Sequence, residues 1–171
     1  FSFLCAAVSL YLFAYLLEVF SFEPENKIFW NAVGYIGMVL SISLWCGMLI
    51  LYVRRDMMLG WKTFLVLFLI PTITVVLRLT NDFHHLSYRG YITQRTPGFS
   101  LLLIQHGPVF AVQMTFCFLL MVFALLLLFR QLFNASGREK NRYYILIAAT
   151  LVPGIATGFR LLRAQGPAFD D

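Results

Sequence analysis

HGPVFAVQMTFCFLLMVFALLLLFR, residues 106–130, has no charged side chain between His106 and Arg130. At 1.5 Å per residue such a run reaches about 36 Å, enough to cross a hydrocarbon core of about 30 Å. Backbone groups in lipid are satisfied only in a helix or a closed barrel, and an unbroken Leu-rich run reads as a helix. Four other blocks are also long and mainly apolar: about 1–20, 29–53, 63–80 with Pro71 inside, and 143–163 with Pro153 inside. The helix in the 106–130 block, the fourth of the five, is expected over about 107–130. The expected fold is therefore an all-α membrane protein, a bundle of five transmembrane helices forming a single transmembrane domain over 1–171. A loop over about 81–105 has Tyr, Gly, Thr and Pro but no apolar span, and is expected to be irregular.

Composition agrees. Hydrophobic residues make up 60 % of the chain and charged ones 12 %, too few polar groups to cover a soluble domain. The longest stretch outside the membrane blocks, about 25 residues, is too short for a catalytic domain with its own core. No nucleophile elbow, Gly-rich phosphate loop or HExxH pattern occurs, so the chain is not expected to be an enzyme itself. Cys5, Cys46 and Cys117 lie in apolar blocks without metal or disulfide spacing. The net charge of +5 arises from basic residues gathered in two loops, which sets topology and gives no reason to expect nucleic acid as a partner.

Those loops are 54–62, with Arg54, Arg55 and Lys62, and 130–142, with Arg130, Arg138, Lys140 and Arg142. By the positive-inside rule both are cytoplasmic. Residue 1 then starts on the cytoplasmic side and residue 171 ends on the extracytoplasmic side of the membrane. The chain opens inside an apolar run without Met, which is expected of a piece of a longer protein.

On this topology the polar residues of all five helices share the outer half of the bilayer: Glu18, Asn31, Arg78, Gln113 and Arg160. Ionisable groups in lipid are costly and tend to serve function. Glu18, Arg78 and Arg160 lie within about one turn of a helix end, where snorkelling to the headgroups competes with pairing inside the bundle. The deeper amides Asn31 and Gln113 read as interhelical hydrogen-bonders or ligand contacts. Thr80, Asn81, His84 and His85 follow the third helix, and His106 precedes the fourth. Imidazoles there could bind a metal or haem, or sense pH, but no carboxylate or thiolate accompanies them, so no metal and no cofactor is expected. Gly37 with Ser41, and Gly154 with Gly158, are small-residue pairs that let helices approach closely.

The stretch LFLIPTITVVLRLTNDFHHL, 67–86, resembles the N-terminal seven-transmembrane sensor region of bacterial histidine kinases and diguanylate cyclases: a Pro in an apolar helix, then Thr-Asn, then His. FWNAVGYIGMVL, 29–40, is similar to the third helix of that family, the 106–130 block to its fifth, and RYYILIAATLVPGI, 142–155, to its sixth. The resemblance implies that the five helices are its second to sixth, within a seven-helix sensor domain. It also implies a sensory input module that detects an extracytoplasmic or membrane signal for a cytoplasmic kinase or cyclase output. Pro71, Thr80, Asn81 and His85 occupy the family motif. The expected ligand-binding set is Glu18, Asn31, Arg78, Thr80, Asn81, His85, His106, Gln113 and Arg160. Expected partners are membrane lipid, a small-molecule signal, the output domain and a second copy in a homodimer. A transporter or channel fragment is the main rival, though a transport path needs polar groups through the full depth. A haem or metal protein using His84, His85 and His106 is another.

Overall fold

The computed structural model describes residues 1–53, 60–96 and 99–164, with 93–96, 99–103 and 156–164 as backbone only. The chain divides into two compact units, Phe1–Cys117 and Phe118–Asp171.

The first unit begins with α1 (Ser2–Phe20), which is linked by three residues to α2 (Pro24–Val53). α2 starts five residues before the expected boundary because Pro24 opens the helix instead of breaking it. Proline is well suited to a first turn, where its missing N–H has no partner to lose. Ala7 and Ala14 of α1 are buried, while Leu12, Phe13, Leu16 and Phe20 are exposed on a surface suited to lipid. The seam runs along Gly34 and Gly37 of α2. A Cβ on Gly37 would lie 2.7 Å from both the Ala7 carbonyl oxygen and the Tyr11 nitrogen, so only glycine allows this backbone-to-backbone approach. Ser41 donates its hydroxyl to the Gly37 carbonyl within α2.

α3 (Trp61–Leu79) contains Pro71 and buries Leu67, Pro71, Thr74 and Arg78. Their spacing of 4, 3 and 4 residues is one helical stripe. Leu65, Val66, Leu69, Ile73 and Val76 lie on its exposed side.

The stretch expected to be an irregular loop is ordered. It forms a single helical turn, α4 (Asn81–His84), and then an antiparallel hairpin of β1 (Tyr88–Thr96) and β2 (Phe99–His106). The register pairs Tyr88 with His106 and Thr96 with Phe99, with an irregularity between Tyr88 and Gly90. The Tyr-Ile-Thr run in one arm, the Phe-Ser-Leu-Leu-Leu-Ile of the other, and the Pro-Gly dipeptide between them in the sequence are hairpin signals. Absence of a transmembrane-length apolar run had masked them. The hairpin closes at its base where the Gly107 N–H donates to the Ser87 carbonyl at 2.9 Å and Val109 N–H to that of Leu86 at 3.2 Å. A side chain at 107 would collide with the Leu86 carbonyl.

α5 (Pro108–Asn134) starts in the first unit and ends in the second; α6 (Arg138–Ala164) completes the second unit. There a Cβ on Gly154 of α6 would run into the Met121 thioether of α5. Gly158 lies where only the backbone is described. All five expected helices are present, and the protein is an all-α membrane protein apart from the hairpin. Among the described residues, four helices are long and apolar enough to cross a membrane: α1, α2, α3 and α5. α6 is not among these four, one fewer than the five spans expected.

Candidate functional site

The stripe on α3 ends in a cation. Arg78 is only 7 % exposed, so it is turned into the protein and does not snorkel. Its Nη2 donates to Asn31 Oδ1 on α2. The Nδ2 of the same amide donates to Glu18 Oε2 on α1 at 3.0 Å. Asn31 therefore stands between a carboxylate and a guanidinium and joins three helices. An amide suits this place because it donates to the anion and accepts from the cation at once. Bonds of this charge-assisted kind are stronger than neutral ones.

Two aromatic rings lie against the guanidinium. The Arg78 Cζ lies 4.5 Å from the Tyr88 ring centroid and 5.7 Å from that of Tyr35. Both are within the range of a cation–π attraction, which strengthens when the cation is desolvated. Lys27, in the first turn of α2 and fully buried, donates its Nζ to the Glu18 backbone carbonyl at 2.6 Å and interacts electrostatically with the Glu18 carboxylate. The cluster thus holds two cations and one carboxylate. Arg78 Nε is buried and has no hydrogen-bond partner among the described residues.

A second polar group lies further along α3. Thr74 and Gln113 are buried, and the Thr74 hydroxyl lies 2.8 Å from Gln113 Oε1 and 3.0 Å from the Pro71 carbonyl. Gln113 Nε2 donates to Cys117 Sγ at 3.2 Å. Tyr35 and Thr74 are also joined through their side chains. Gln113 therefore ties α5 to α3, the interhelical role that its depth suggests.

The motif residues after α3 are used differently. Asn81 is buried, accepts on Oδ1 from the N–H groups of Ser87 and Tyr88, and donates Nδ2 to the Tyr88 carbonyl. It clamps the turn that aims Tyr88 at Arg78. Thr80 donates to the Val76 carbonyl and lies 3.2 Å from His84 Nε2. The Leu86 N–H donates to His84 Nδ1, which places the ring proton on Nε2. His85 is exposed and has the left-handed φ of 52° that ends α4. His106 is exposed and stacks on Phe110, with centroids 3.7 Å apart. Among the described residues no group of three His, Cys, Asp or Glu side chains gathers as a metal site would require.

Of the nine expected site residues, the structure joins Glu18, Asn31 and Arg78 directly. Asn81 supports this group through Tyr88, whereas Gln113 belongs to the Thr74 group. Arg160 is in α6, and its side chain lies outside the described residues, as do Arg54 and Arg55. Sequence reading missed Lys27, Tyr35, Thr74 and Tyr88. The helical spacing from Pro71 and Arg78 to Thr74 was a usable signal, and so was Pro24 as a helix start for Lys27. The reach of Tyr88 depends on the hairpin and had no local signal.

The chain matches the family described as the N-terminal 7TM region of histidine kinase, over residues 1–170. No curated protein and no solved structure matches the chain.

Proposed function

Because the chain belongs to the N-terminal 7TM region of histidine kinases, a membrane sensory domain, we propose that it reads its signal at the Glu18–Asn31–Arg78 cluster and passes it to a cytoplasmic histidine kinase output. The observation that carries this reading is the inward-facing, almost fully buried Arg78, linked through Asn31 to Glu18. A charge held between three helices costs desolvation, so a cluster of this kind is poorly explained by packing alone. Binding that prefers one arrangement of the three helices shifts their population, and nothing else is required to send a signal.

In this reading the catalysis belongs to the output domain of the full-length protein, and the chain has the input role. The cluster faces the extracytoplasmic side of the inner membrane, with the basic 130–142 segment in the cytoplasm. The full-length protein works as a homodimer with its helices in membrane lipid. Thr80, Asn81, His85, His106, Gln113 and Arg160 contribute to the ligand response either in contact with the signal or by holding the helix ends.

The test is signal-dependent autophosphorylation of the full-length kinase in membrane vesicles. Arg78→Ala and His85→Ala are expected to insert normally and to lose the response. Normal signalling in both variants overturns the assignment.

A further inference from the structure

We propose that the Nε–Nη2 edge of Arg78 binds a small carboxylate, which takes the place of the Asn31 amide oxygen and so releases α3 from the α1–α2 pair. This rests on the sensing reading above and gives it a ligand class. The guanidinium is planar, and its Nε–H and the neighbouring Nη2–H point the same way along one edge. Asn31 Oδ1 accepts from Nη2, while Nε is buried without a partner among the described residues. One amide oxygen therefore meets half of a two-pronged donor. A carboxylate has two coplanar oxygens at the matching spacing.

The surroundings favour an anion over a neutral group. The Tyr88 and Tyr35 rings lie within cation–π range of the guanidinium and leave its Nε without a hydrogen-bond partner among the described residues. Glu18 is held by Asn31 Nδ2, and Lys27 Nζ bonds the Glu18 carbonyl oxygen. Asp82 is turned to the Tyr88 hydroxyl, which donates to its Oδ1 at 3.3 Å. Arg78 meets only the neutral amide oxygen of Asn31 there, and a monocarboxylate offers the guanidinium an anion instead. By displacing Asn31 it also removes the hydrogen bond that couples the end of α3 to α2.

The test uses the protein in maltoside micelles, which contain no phosphate, titrated by calorimetry with hexanoate, hexanamide and, separately, phosphatidylglycerol. Hexanoate is expected to bind at least about tenfold more tightly than hexanamide, since charge-assisted bonds to a planar fork are lost in the amide. R78K keeps the charge but not the fork, and is expected to abolish that preference. N31D places a carboxylate on the fork from within. It is expected to lower hexanoate affinity about tenfold while Arg78 is unchanged, and it decides the matter if R78K does not fold. Equal binding of acid and amide, no binding of hexanoate, or an unchanged preference in both variants overturns the proposal. So does a response to phosphatidylglycerol alone, which would assign the edge to a lipid phosphate. Hexanoate binding that leaves autophosphorylation unchanged keeps the carboxylate site and removes the sensing role. Output that depends on Arg78 with no hexanoate binding does the reverse.

Discussion

Replacing Asn31 by Leu keeps nearly the same side-chain shape and removes both of its polar bonds. The amide gives Nδ2 to Glu18 Oε2 at 3.0 Å and accepts Arg78 Nη2 on Oδ1. Hydrogen bonds to charged groups contribute about 1.5–3 kcal/mol each, so losing two suggests roughly 3–6 kcal/mol. Two contacts that survive reduce this. Lys27 still faces Glu18 electrostatically, and the Tyr88 and Tyr35 rings still lie against Arg78. Interhelical polar couplings within membranes are also smaller, about 0.6 kcal/mol on average and at most about 1.7. The expected loss is therefore about 2–4 kcal/mol, larger than a neutral pair would give because both partners are charged. Reversible unfolding in mixed micelles with increasing dodecyl sulfate measures it. Combining Asn31→Leu with Glu18→Gln in a double-mutant cycle is expected to show about 1–2 kcal/mol of coupling. A loss below about 0.5 kcal/mol, or additive effects in the cycle, would refute the idea that this amide joins the helices.

Four further outcomes follow from the packing. Gly37→Ala must push α1 away from α2, because the new methyl meets backbone, and is expected to cost about 1–3 kcal/mol. Gly154→Ala meets only the mobile end of Met121 and is expected to cost less than about 1 kcal/mol, so equal unfolding midpoints for the two variants would contradict the seam described here. Asn81→Ala removes three hydrogen bonds from the turn, and the Ser87 and Tyr88 amides are expected to exchange with deuterium about tenfold faster or more. Burial, with Asp82 adding to it, raises the Tyr88 phenol above its ordinary value of 10.0. The folded state thus holds that proton more tightly, so its contribution is complete below about pH 10 and is lost as pH rises through the higher folded value. Alkaline titration of stability should lose this component in Tyr88→Phe.

Much of this architecture was legible in the chain. Long apolar runs need no partner to be recognised as membrane helices, and all five were placed to within a few residues or one turn, apart from the ends at Pro24 and Arg138. The α2 start was misplaced because proline has opposite meanings at a helix start and in its interior. Glu18, Asn31 and Arg78 were legible as candidates since polar groups are rare in such runs. Their mutual contact was not, because the face a residue presents depends on which neighbours pack there. Tyr88 shows the limit most clearly. It reaches Arg78 only because Asn81 fixes a turn and the hairpin returns to Gly107, a chain of contacts with no period in the sequence.

The hairpin is rooted at both ends in the same few residues. Ser87 and Tyr88 are gripped by Asn81 just beyond α3, and the other arm returns through Gly107 and Val109, at the start of α5, to the carbonyls of Ser87 and Leu86. A pull on the hairpin, whether from a bound protein or from a crosslink, would therefore arrive at the end of one rod and the beginning of another simultaneously. The hairpin would work as a handle whose motion twists two helices in concert, with Arg78 beside the pivot.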